Sequence, residues 1–166
     1  MLVFGTRILA AGLLVASAAA QAGGAPDAVF DLPAGMACTA FAVRIELWAP
    51  DHRVNRTFTD RNGNLRVLNA GQGNTLVFTN LTSGAKLTVP TNGSVEHIAN
   101  LPDGTQRWTV TGHNAIFWFP SDSPPGPATI VYSGRVRFSI DPATGASTLL
   151  GVPSGTSFDV CRELEG

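Results

Sequence analysis

The stretch Ile130-Val131-Tyr132-Ser133-Gly134-Arg135-Val136-Arg137-Phe138-Ser139-Ile140 decides the fold class. Its apolar residues Ile130, Tyr132, Val136, Phe138 and Ile140 fall on every second position, with Arg135, Arg137 and Ser139 between them. A period of two is the mark of a half-buried β-strand, because successive side chains point to opposite faces. Gly134 interrupts the apolar face in mid-strand, a position that marks a bend or a close backbone approach.

The same alternation recurs elsewhere in the chain. Phe41, Val43, Ile45 and Leu47 share one face, with Arg44 and Glu46 opposite. Val54 and Phe58 form another apolar pair, followed by Leu65 and Val67, Leu76 and Phe78, and Leu87 and Val89. Between these runs stand Asn62-Gly63, Asn92-Gly93 and Asp103-Gly104, dipeptides suited to type I′ hairpin turns that need φ > 0 at both central residues. Turn signals recur about every ten residues, the spacing of a sandwich or barrel. The pattern predicts an all-β antiparallel meander of about nine to eleven strands, without a helix in the mature part. A closed β-barrel is favoured over a two-sheet sandwich, since closure removes exposed edges.

The N-terminus reads as a secretory signal peptide over residues 1–22. Arg7 supplies the positive region, Ile8 to Ala16 the apolar region, and Ala20-Gln21-Ala22 a small-residue cleavage site. Residues 23–37 read as a flexible, exposed lead-in, and residues 38–166 as a single β-domain. The expected localisation is secreted, with no membrane insertion after signal removal. Export sends Cys38 and Cys161 into an oxidising compartment, where an even cysteine count favours a disulfide. That bond requires Cα atoms within about 7 Å, so the two ends of the domain are expected to meet.

The chain has 166 residues, 44% apolar and 14% charged, with a formal net charge of -1. Ten of its eleven basic residues are Arg, yet no Lys/Arg run occurs, and the sequence shows no footprint of a nucleic-acid binder. No zinc spacing links His52, His97 and His113, so no metal or other cofactor is expected. Asp60-Arg-Asn-Gly-Asn64 has a weak likeness to a calcium loop, but Leu65 stands where the EF-hand pattern needs Gly, and a hairpin turn explains it. His97 is expected to point inward with a hydrogen-bond partner. Arg56, between Val54 and Phe58, is read as exposed at a bulge. The proline-rich segment Pro120 to Pro127, which follows the aromatic run Ile116 to Phe119, is read as a stiff connector.

The stretches Phe58-Thr-Asp-Arg-Asn-Gly-Asn64, Leu76-Val-Phe-Thr-Asn80, Thr91-Asn-Gly-Ser-Val-Glu-His97, Thr111-Gly-His-Asn114 and Gly134-Arg-Val136 carry a resemblance. Over about residues 38–161 the chain resembles a group of small exported β-proteins of high-GC Gram-positive bacteria with no assigned activity. The resemblance implies an exported bacterial β-protein and carries over no catalytic residue.

No nucleophile elbow, phosphate loop or paired-carboxylate motif is present in the sequence, so an enzyme is the weaker expectation. The leading expectation is an exported non-enzymatic protein that binds a small apolar ligand in or at the mouth of a barrel. Trp108, His113, Trp118 and Tyr132 are the expected lining. Two alternatives stand beside it. One is a cell-envelope or extracellular interaction protein with a solid core, working through an outer face. The other is a small exported isomerase- or cyclase-like enzyme with His113 or His97 as base.

Overall fold

The computed structural model describes residues 24–49 and 53–165. The signal-peptide segment and His52 lie outside the described residues. Eleven strands and one short helix follow in order: β1 Ala28–Leu32, β2 Val43–Trp48, β3 Arg53–Thr59, β4 Leu65–Gly71, β5 Thr75–Asn80, β6 Lys86–Pro90, β7 Val95–Asn100, β8 Gln106–Trp118, β9 Ala128–Ile140, β10 Ser147–Leu149, β11 Ser154–Asp159 and α1 Val160–Glu165. All strand pairs are antiparallel and form two sheets. The smaller runs β1-β2-β5-β6; the larger runs β10-β9-β8-β7-β4-β3, with β11 also on β9. The all-β expectation holds.

The finer expectations are not all met. No closed barrel is found among the described residues: neither sheet joins its first strand to its last. The chain is not a simple meander either, since β2 pairs with β5 and β4 with β7. The β3–β4 hairpin leaves the first sheet to found the second, and the β5–β6 hairpin returns. Cys161 lies in α1, where no helix was expected. The lead-in segment also contributes a strand. Its β1 pairs in register with β2, and Asp31 accepts from Arg44 Nε at 2.8 Å and Nη2 at 2.7 Å across that pair.

The β8–β9 hairpin, 13 residues on each strand, organises everything else. Its far end, residues 113–118 and 128–133, is covered on both faces. Odd positions Ala115, Phe117 and Val131 join a core with Val43, Ile45, Phe78 and Val89 of the smaller sheet, closed by Val160 and Leu164 of α1. Even positions Trp118 and Tyr132 join Val110, Val136 and Phe138 in a second core. Double coverage explains the unbroken apolar run Ile130-Val131-Tyr132, as in any strand buried on both sides. At the near end, residues 106–111 and 135–140, only the even face is apolar, so the sequence alternates.

Between the two ends the hairpin crosses a row of glycines. Gly112 pairs with Gly134, and Gly134 with Gly155 of β11. Gly112 has φ 86°, and a Cβ there would sit 2.1 Å from the Gly93 carbonyl oxygen; at Gly134 it would sit 1.9 Å from that of Ser154. Backbones approach here as closely as only glycine allows. Of the bend or close approach expected at Gly134, the close approach is what is observed.

The Cys38–Cys161 disulfide is present, with Cα atoms 5.5 Å apart, and both residues sit in the first core. Two buried polar side chains reinforce that closure. Thr129 Oγ1 donates to the Ala37 carbonyl at 3.1 Å, and Asn80 Nδ2 to the Leu164 carbonyl at 3.1 Å.

Candidate functional site: an arginine-lined groove

The near end of the larger sheet presents its odd face of β8 and β9 to solvent. Cα partners define three rows across five strands: Val54-Ala70-Val95-Thr111-Arg135, Arg56-Leu68-His97-Thr109-Arg137 and Phe58-Arg66-Ala99-Arg107-Ser139. These positions hold five arginines, one histidine and no carboxylate. Neighbouring strands lie about 4.8 Å apart, so Arg107 stands diagonally beside Arg137 on the adjacent strand, with Arg135 further along it, while Arg56 lies four strands from them. A groove of about 540 Å³ opens over this face, lined among others by Phe58, Arg66, His97, Arg107, Arg137 and Leu150.

The register assembles this face, not the local sequence. Residues 56, 66, 107, 135 and 137 come from four strands. Arg135 and Arg137 were legible as the polar side of β9, but their neighbours depend on which strands pair. Hence the lack of a Lys/Arg run in the sequence does not mean the lack of a basic surface.

Arg66 is the one arginine of the face with an ion-pair partner among the described residues. Its Nε donates to Asp60 Oδ2 at 2.7 Å. Asp60 stands in the β3–β4 turn, where its Oδ1 also accepts from the backbone N–H of Asn62 at 2.9 Å and of Asn64 at 3.0 Å. Removal from water would raise its pKa. The hydrogen bonds from Arg66, Asn64 and Asn62 together outweigh that and bring it down to about 2. The residues with a weak likeness to a calcium loop are thus a hairpin turn whose carboxylate is already engaged. Arg56, Arg107, Arg135 and Arg137 are exposed and form no ion pair among the described residues. A guanidinium fork matches carboxylate, phosphate or sulfate oxygens, often in pairs of hydrogen bonds. The groove therefore offers the guanidinium groups of Arg107 and Arg137 to an oxyanion, beside the Arg66–Asp60 ion pair that also lines it, with Phe58 and Leu150 for an apolar portion.

His97 and Arg56 both lie on this face. The histidine is exposed, contrary to the inward orientation expected. Arg56 sits in unbroken register, so there is no bulge; Val54 and Phe58 are themselves 49% and 51% exposed, and their face is not a core face.

The four residues expected to line a ligand cavity separate. Trp118 is 3% exposed and Tyr132 9%, and Trp118 Nε1 donates to Tyr132 Oη at 3.3 Å inside the second core. Trp108, half-buried, stacks on Phe138 with centroids 5.7 Å apart. His113 lies elsewhere, its Nδ1 2.7 Å from the Pro90 carbonyl oxygen. The structure thus gathers three aromatic residues around Phe138 and leaves the histidine apart.

The proline-rich connector is pinned by Asp122, whose carboxylate accepts from the backbone N–H of Phe119 and of Ser147, each at 2.7 Å. Among the described residues no three His, Cys, Asp or Glu side chains gather to hold a metal. No helix there is long and apolar enough to cross a membrane.

By fold and site this is a two-sheet all-β domain with an arginine-lined groove. Comparison with protein families, with curated proteins and with solved structures finds no match to the chain.

Proposed function

We propose that the chain is an exported, non-enzymatic binding domain that works through an outer face and holds a small organic oxyanion in the arginine-lined groove. One observation carries this reading: four exposed arginines without ion-pair partners among the described residues share one sheet face, and two of them, Arg107 and Arg137, line the groove, whose one carboxylate, Asp60, is held by Arg66. The chain as a whole is near neutral, with a formal charge of -1, so this clustering is a local feature. The groove volume, about 540 Å³, falls in the range of small-molecule pockets, about 300–1,000 Å³. An anionic head group on Arg107 and Arg137 with an apolar tail on Phe58 and Leu150 fits its lining. Export belongs to the same reading, supported by the leader-like N-terminus and by the disulfide, which persists in an oxidising compartment.

Calorimetric titration of the mature protein with octyl phosphate, citrate and inorganic sulfate tests the proposal. Octyl phosphate is expected to bind best, more weakly as salt rises, and at least about tenfold more weakly to an Arg107→Gln/Arg137→Gln double variant. Salt-independent binding, or equal affinity for the double variant, would overturn it.

A further inference from the structure

The other face of the same strands carries a different chemistry. Asn55, Asn69 and Glu96 are successive Cα partners on β3, β4 and β7. Asn55 Nδ2 donates to Asn69 Oδ1 at 2.7 Å, and Asn69 Nδ2 donates to Glu96 Oε2 at 3.0 Å. The carboxylate only accepts, so it sets the direction of the chain of hydrogen bonds. Acceptor capacity is left at both ends, on Asn55 Oδ1 and Glu96 Oε1. A cavity of about 400 Å³ opens here, lined by Arg53, Val54, Asn55, Asn69, Asn74 and Glu96. Asn74 Oδ1 is buried and accepts no hydrogen bond among the described residues.

Glu96 also lines a second cavity of about 260 Å³, shared with Trp108, Val110, Phe119 and Phe138. On the paired strands Glu96 lies opposite Val110, which makes Trp108 its diagonal neighbour, about 7–8 Å away. The indole is held ready: Phe138 stacks on it, and its Nε1 donates to Gln106 Oε1 at 3.1 Å, while Gln106 Nε2 donates to Asn100 Oδ1 at 3.0 Å. A ring fixed in advance loses little freedom on binding.

We infer that this trough is a binding site for a neutral saccharide. The ligand must donate hydrogen bonds to Asn55 and Glu96 and accept others from amide N–H groups. Hydroxyl groups do both. It must also lay an apolar face on an indole, as the C–H face of a sugar ring does. Arg53 and Glu96 cancel in formal charge, which favours neither a cation nor an anion. The two cavities meeting at Glu96 suit an oligosaccharide with one ring on the amides and the next on Trp108. The groove's arginine side chains stand on the opposite face of these strands, although Trp108 borders both the groove and the smaller cavity.

Cellohexaose, xylohexaose, mannohexaose and chitohexaose, titrated calorimetrically and by tryptophan fluorescence into the mature protein, provide the test. At least one is expected to bind with a Kd of about 1 mM or tighter. Asn69→Ala and Glu96→Gln should each weaken it by about tenfold or more, with thermal unfolding unchanged, whereas Arg107→Gln/Arg137→Gln should leave it intact. Should either variant fail to fold, Asn55→Ala on the exposed strand β3 takes its place, with the same loss expected. Binding of none of the four, or binding that survives the trough variants, overturns the inference. So does loss of saccharide binding in the arginine variant alone, whereas failure of oxyanion binding bears only on the groove.

Discussion

The two ends of the β8–β9 hairpin share one backbone pairing and differ in what covers them. At the far end, Val131 is wholly buried and Tyr132 is 9% exposed, because both faces meet packed side chains. At the near end, Val136 is 1% exposed while its neighbours Arg135 and Arg137 stand in solvent. The change occurs at the Gly112–Gly134–Gly155 row, where the smaller sheet stops covering the odd face. Beyond the row the odd face carries the exposed Arg107, Arg135 and Arg137. Stability and binding are thus expected to separate along a single hairpin: substitutions at the far end should unfold the protein, and those at the near end should change what it binds.

The largest effect should come from the far end's covalent closure. A Cys38→Ala/Cys161→Ala variant should lose about 3–5 kcal/mol in urea unfolding, since the bond joins residues 123 apart in the sequence. A loss under about 1 kcal/mol would mean that the far-end core holds without its clasp. Next, Gly112→Ala should cost about 3 kcal/mol, because its Cβ would collide with the Gly93 carbonyl oxygen at 2.1 Å and φ is 86°. If the variant is as stable as the parent, the glycine row is not the hinge between the two ends.

Val131→Ala should cost about 2 kcal/mol, whereas Arg137→Gln, six residues along the same strand, should stay within about 0.5 kcal/mol. Equal losses would remove the distinction between the ends. Acid should also loosen the near end first. The folded pKa of Asp60 is about 2 against an ordinary 3.8, so its contribution is full above about pH 4 and fades as pH falls toward 2. Hydrogen exchange followed from pH 5 downward should show β3–β4 amides opening in that window before those of β5, and Asp60→Asn should abolish the difference.

Much of the fold was legible. Alternation located β2, β5 and the near end of β9, and the Asn-Gly and Asp-Gly pairs marked turns. The cysteine count anticipated the one disulfide. β1 was missed because Val29-Phe30-Asp31-Leu32 does not alternate cleanly; it is held at the sheet edge by its pairing with β2 and by the Asp31–Arg44 ion pair. The expectation of a barrel rests on turn spacing and the two cysteines; the first reports how often the chain reverses and the second that its ends meet, and neither says which strand pairs with which.

The candidate sites were much less legible. Trp118 and Tyr132 looked like pocket residues because aromatic side chains suit both cores and cavities, and only packing separates the two. The arginine face and the Asn55-Asn69-Glu96 chain depend on register between strands distant in sequence, as in Arg66 beside Ala99 and Arg107. By itself, then, the sequence determined what period of two and turn chemistry can determine: an all-β chain, its reversals and its disulfide. The tertiary structure decided which strands are neighbours, and hence which side chains share a face, because register is set by the packing of whole sheets and leaves no trace in any one segment.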